Sequence, residues 1–158
     1  MGNLKAKTLI EKHGFKDSDL TTPLHDKILF WTVENIDQII NEVIVKEKIK
    51  FKVDFLEPEF AITSLSSFSN KSIIGFLDLN VRFTTEKTEK FESNTYRVGI
   101  EIKSKILSVG ETIRQLNFYK EYTNNQYWII VSPDDRFKDF FEKQNIKFYK
   151  YKEDSELF

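Results

Sequence analysis

The chain has 158 residues, 24 basic against 25 acidic side chains for a net charge of −1, and 40% hydrophobic residues that include 15 Phe. That length favours one domain over two independent cores, and the apolar content fills such a core without staples. Cysteine is absent, which excludes disulfides, thiolate zinc sites and cysteine nucleophiles; the charge balance argues against bulk electrostatic binding of nucleic acid and leaves room for a local basic groove.

The amino terminus carries no apolar signal region. The apolar runs, such as Ile129 to Val131 beside Trp128, fall far short of the ~20 residues of a membrane span. A soluble, cytoplasmic protein is expected. Residues Leu4 to Lys12 read as a short helix with Asn3 as cap and Gly14 as stop, within an N-terminal extension over 1–21. Thr22 before Pro23 opens the next helix. Its stripe of Leu24, Ile28, Trp31, Ile36, Ile39, Ile40 and Val43 is broken but helical. From Ile49 the period becomes two, with Ile49, Phe51, Val53 and Phe55 alternating with Lys50, Lys52 and Asp54, which predicts a half-buried strand. Pro58 is expected to interrupt it, with Phe60, Ile62 and Leu65 on an antiparallel return.

A third strand is predicted over Ile73 to Phe83, then a polar loop from Thr84 to Asn94 and a fourth strand from Tyr96 to Lys103. Ser108 and Glu111 have the spacing of a capping box, which opens a helix running to about Tyr122. An apolar strand over Tyr127 to Val131 follows. Pro133 and Asp134 read as start signals for a short helix, Phe137 to Lys143, before a last strand, Ile146 to Tyr151. This order predicts a single α/β domain (α+β by some schemes), with a mixed sheet between helices and a core over 22–151.

Three features carry chemistry. Gly75-Phe76-Leu77-Asp78 puts a carboxylate into an apolar strand. Glu101-Ile102-Lys103 places an acid and a base on one strand face, and Gln115 and Tyr119 share a helical stripe. Two carboxylates brought together from adjacent strands repel unless a cation lies between them. Hard oxygen donors of this kind suit magnesium or manganese. A lysine beside that cation orients an attacking water or neutralises charge developing on a phosphate.

These motifs, GxxD, ExK and QxxxY, resemble those of the PD-(D/E)XK nuclease superfamily in its RecB-type branch, and the likeness spans roughly Thr22 to Tyr151. The resemblance implies a restriction-endonuclease-like core and a Mg2+- or Mn2+-dependent deoxyribonuclease. It implies that Asp78, Glu101 and the backbone carbonyl of Ile102 hold the metal and that Lys103 positions or activates the water. Gln115 and Tyr119 would support the site and the substrate strand. It also implies a ligand on the first helix, for which His25, Glu34 and Glu42 are rivals. Lys105, Arg114 and Lys120 flank the motifs as phosphate-contact candidates, and Phe118 and Tyr122 are candidates for stacking on an unpaired base. The expected partner is DNA, single- or double-stranded. The alternative is a non-catalytic nucleic-acid-binding or accessory interaction module on the same fold, and a homodimer or a larger complex stays compatible with the near-neutral charge.

Overall fold

The computed structural model describes residues 22–65 and 71–153; the helix expected over Leu4 to Lys12 lies outside them. Helix α1 (Pro23–Glu34) starts where Thr22 and Pro23 direct it. The Thr22 hydroxyl accepts the His25 N–H at 3.1 Å, and the proline occupies the first turn, where its missing N–H costs nothing. The break in the apolar stripe has its cause at Asn35. As the C-cap it makes the last ladder bond, N–H to the Trp31 carbonyl, and its side-chain amide donates to the same oxygen, a local side-chain bond that favours ending the helix there. Helix α2 (Ile36–Ile40) resumes, and a π-helical turn over Asn41–Val45 ends at the left-handed Lys46 and Glu47.

The described residues then build a five-stranded sheet in sequential order: β1 (Phe51–Leu65), β2 (Lys71–Thr85), β3 (Thr95–Ile102), β4 (Tyr127–Ser132) and β5 (Lys147–Lys150). Strands β1 to β3 are antiparallel; β3 to β5 are parallel and joined by α3 (Val109–Glu121) and α4 (Lys138–Lys143). One apolar cluster lies between the sheet and α1–α2, and a second gathers side chains of α3 and α4 against the sheet. The fold is a mixed α/β sheet flanked by helices. No helix among the described residues is long and apolar enough to cross a membrane.

The chain reversal expected at Pro58 does not form. Strand β1 runs on through it for 15 residues. Because β1 is an edge strand, a missing N–H need not remove a ladder bond. The strand absorbs local irregularity instead. Asp54 is the extra residue of a bulge between Val53 and Phe55, and Glu59 takes a left-handed backbone with φ of 51°.

Strand β2 pairs with β1 along its whole length, but with β3 only from Thr84↔Thr95 to Leu79↔Ile100. Beyond Leu79 the two strands part. Residues two apart on a strand ordinarily share a face, yet Leu79 packs into the α1-side cluster and Leu77 into the α3-side cluster. The strand therefore turns over at Asp78. The left-handed Glu59 lies across from that point, between the pairs Pro58↔Leu79 and Phe60↔Leu77.

The first half of β2 lies under α3, and Gly75 permits the approach. A Cβ at Gly75 would fall 2.6 Å from Tyr119 Cε1, whereas one at Gly110 in α3 meets open space. Denaturant unfolding is expected to show Gly75→Ala destabilised by about 1–3 kcal/mol through overpacking. Gly110→Ala should be unchanged or stabilised by up to about 1 kcal/mol. Equal effects in the two variants would mean that Tyr119 does not rest on Gly75.

Candidate active site

Where β2 leaves β3, the Asp78 side chain takes the place of the departed strand: Oδ2 accepts the Ile102 N–H at 2.8 Å. In extended backbone the N–H and C=O of one residue point to the same edge. The Ile102 carbonyl thus faces this fork as well, while the Lys103 N–H turns to the other edge and donates to the Val131 carbonyl at 3.0 Å. The first turn of α1, fixed by the Thr22 cap, brings His25 to the same carboxylate, with Nε2 3.3 Å from Asp78 Oδ1. The site sits at the carboxyl end of β3, where open α/β sheets bind their ligands.

Asp78, Glu101, Lys103 and Gln115 are all buried, Glu101 to 2% exposure. A carboxylate removed from water costs several kcal/mol unless partners meet it. Burial opposes the Asp78 charge, but the His25 imidazole, the Ile102 N–H and Lys103 outweigh it, so the carboxyl is held below its ordinary range. Glu101 Oε1 lies 3.6 Å from Lys103 Nζ. That ammonium donates to Gln115 Oε1 at 3.4 Å, and Gln115 Nε2 donates to the Tyr119 hydroxyl at 3.3 Å. Burial first, then the Glu101 carboxylate, push the Tyr119 phenol well above its ordinary value; the Gln115 hydrogen bond opposes them, Asp78 adds a smaller upward push, and Lys103 a smaller pull down. The phenol is neutral throughout the physiological range.

All three motifs therefore meet at the fork. Of the rival first-helix residues, His25 alone reaches it. Glu34 stands nine residues farther along α1, about 14 Å of helix. Glu42 sits exposed on the π-helical turn, accepts from Gln38 Nε2 at 3.3 Å, and faces a different cleft with Lys138 and Glu142. Lys105 and Arg114 are exposed. Lys120 is half-buried, and burial lowers its pKa. Phe118 packs against the Tyr119 ring, and Tyr122 is 42% exposed.

Two further features escape sequence reading. Asp134 is no helix cap: α4 starts after Phe137 without a side-chain cap. Instead its Oδ2 accepts the Ile106 N–H at 3.0 Å and Arg136 Nη2 at 2.8 Å, while Arg136 also donates to the Ile106 carbonyl at 3.3 Å. This latch holds the loop that follows Lys103. The other feature is the pair Arg82↔Arg97, directly opposite across β2 and β3. The only sequence signal for either is an acid two residues before an arginine, or two arginines on neighbouring predicted strands, both too common to single out.

Among the described residues no three His, Cys, Asp or Glu side chains cluster as a metal-holding group. The donors at the fork fit a hard cation by their chemistry instead: two buried carboxylates, Asp78 and Glu101, with the Ile102 carbonyl on the same edge. No protein-family model matches the chain, and no curated protein or solved structure matches it significantly.

The Asp134 latch makes a pH prediction. The Arg136 guanidinium first, then the Ile106 N–H, hold the Asp134 carboxyl far below its ordinary range against burial. A depressed folded-state pKa gives stability that is complete above the unfolded value of about 3.9 and fades as pH falls below it. Asp134→Asn should therefore unfold more easily than wild type at pH 7, with the gap narrowing steadily as pH falls below about 4. A gap that is constant across this range would contradict the latch.

Proposed function

We propose that the chain is a divalent-metal-dependent nuclease that hydrolyses phosphodiester bonds in DNA, a RecB-type member of the PD-(D/E)XK superfamily. One observation carries the reading: Asp78, Glu101, Lys103, Gln115 and Tyr119, from three separate stretches of sequence, meet buried at the end of β3. A structural role alone gives little reason to bury two carboxylates and an ammonium there, since well-packed apolar residues are often as stable or more so.

On this reading Asp78, Glu101 and the Ile102 carbonyl would hold Mg2+ or Mn2+. Such a cation, when bound, polarises the phosphate and lowers the pKa of a coordinated water. The chain supplies the rest. Lys103 offers a cation at the reacting phosphate and orients the attacking water. Gln115 accepts from Lys103 and Tyr119 braces Gln115, so both are positioning residues. His25 fixes one oxygen of Asp78 while the Ile102 N–H fixes the other.

A non-catalytic DNA-binding module on the same fold has one observation in its favour. Each acid already faces a cationic or ionisable partner, Asp78 with His25 and Glu101 with Lys103, so a charge-balanced site stands without an added ion.

Hydrolysis of labelled single- and double-stranded DNA with Mg2+ or Mn2+ separates the two. Wild type is expected to cleave, with Asp78→Ala and Lys103→Ala each at least about 100-fold slower. Gln115→Met, which keeps volume but loses the acceptor for Lys103, should lower kcat about 10-fold with KM unchanged. Equal rates in wild type, Asp78→Ala and Lys103→Ala would overturn the assignment.

A further inference from the structure

A cleft of about 280 Å³ opens between the C-terminal end of α3 and strands β1 to β3. None of the residues named for the proposed metal and water chemistry lines it. Its position is set by strand alternation: Arg97, Gly99, Glu101 and Lys103 follow one another on one face of β3, with Asn80 opposite Gly99 and Arg82 opposite Arg97 on β2. Arg97 thus stands four residues from Glu101, about 14 Å along the same strand face.

Like charges directly opposite each other across an antiparallel pair are unfavourable. Asp54, displaced by the β1 bulge, answers Arg82 at 2.8 Å. Arg97 has no carboxylate within ion-pair distance among the described residues; its Nη1 donates to the neutral Asn124 Oδ1 at 2.9 Å. An exposed guanidinium kept beside a second one, with only an amide for partner, is a seat for an anion. The adjoining wall is amide-rich: Asn125 Nδ2 donates to Asn80 Oδ1 at 3.1 Å, leaving further donor and acceptor capacity of the kind that reads a base edge. The exposed Tyr122 ring and the half-buried Phe60 supply apolar surface.

We infer that this cleft binds one unpaired nucleotide of a DNA strand, its base against Tyr122 and the amides and its phosphate on Arg97. The identity of the strand rests on the nuclease reading, because Glu101 lies on the same strand face. The volume admits a single base, and a paired base enters only by leaving its stack. The cleft therefore selects single-stranded over duplex DNA.

The test is fluorescence anisotropy of a short labelled single strand, and of the matching duplex, titrated with the full chain in EDTA so that no cleavage intervenes. Arg97→Gln and Tyr122→Ala, both at exposed positions, should each bind the single strand about 10-fold more weakly than wild type. Lys138→Gln on α4 should bind as wild type does, and the duplex should bind more weakly than the single strand throughout. Wild-type affinity in Arg97→Gln and Tyr122→Ala overturns the inference while leaving the nuclease reading to its own assay. Wild-type protein that binds no single strand also overturns it. Single-strand binding lost in both variants, together with no cleavage under Mg2+ or Mn2+, would uphold the cleft and reject the nuclease.

Discussion

Everything at the candidate site follows from the parting of β2 and β3 at Asp78. A sheet that opens between two strands leaves backbone polar groups along the fork, and each must find a partner. Here the Asp78 carboxylate supplies one, accepting the Ile102 N–H at 2.8 Å. That substitution brings an anion into the plane of the sheet, beside an Ile102 carbonyl on the same edge and close to the buried Glu101 of the neighbouring strand. Opening the sheet and charging the pocket are one structural event. The left-handed Glu59 across the ladder, and the passage of Leu77 and Leu79 into opposite cores, are the backbone irregularities that accompany it.

The three motifs act as one mechanical unit. Gly75 lacks a side chain, so Tyr119 settles on β2; Tyr119 holds Gln115, Gln115 holds Lys103, and Lys103 faces Glu101. On the other side, Thr22 sets the first turn of α1 and so sets His25 against Asp78. The Asp134–Arg136 latch anchors the loop leaving Lys103. A buried charge tolerates little displacement, because each partner lost leaves a penalty of several kcal/mol, and this explains why so many contacts converge on few atoms. The proposed hydrolysis asks the same rigidity of Lys103, which must be aimed before a substrate arrives.

What could be read from the sequence was what local geometry decides. Thr22 with Pro23, and Ser108 with Glu111, mark helix starts because a cap acts within one turn; the residues Glu101 and Lys103, or Gln115 and Tyr119, share a face because the spacing is two on a strand and four on a helix. Distant decisions were hidden. Pro58 reads as a break unless β1 is known to be an edge strand. His25, Glu34 and Glu42 are equivalent until the pose of α1 against the sheet is fixed. The opposition of Arg82 and Arg97 depends on a register set across the polar loop, and Asp134 resembles any helix-start acid until Ile106 is seen beside it. The near-zero net charge left room for a local basic groove without placing it; the strand register sets Arg97 on the face that also carries Glu101.

In the proposed nuclease, Asp78 and Glu101 at the open fork form the seat for a divalent cation. Calorimetric titration of Mn2+ into wild type and Glu101→Gln, with unfolding curves confirming that both are folded, tests it most directly. Saturable binding to wild type that weakens by more than about 10-fold in Glu101→Gln is the predicted result. Equal affinity in both proteins, or no uptake by wild type, would contradict it.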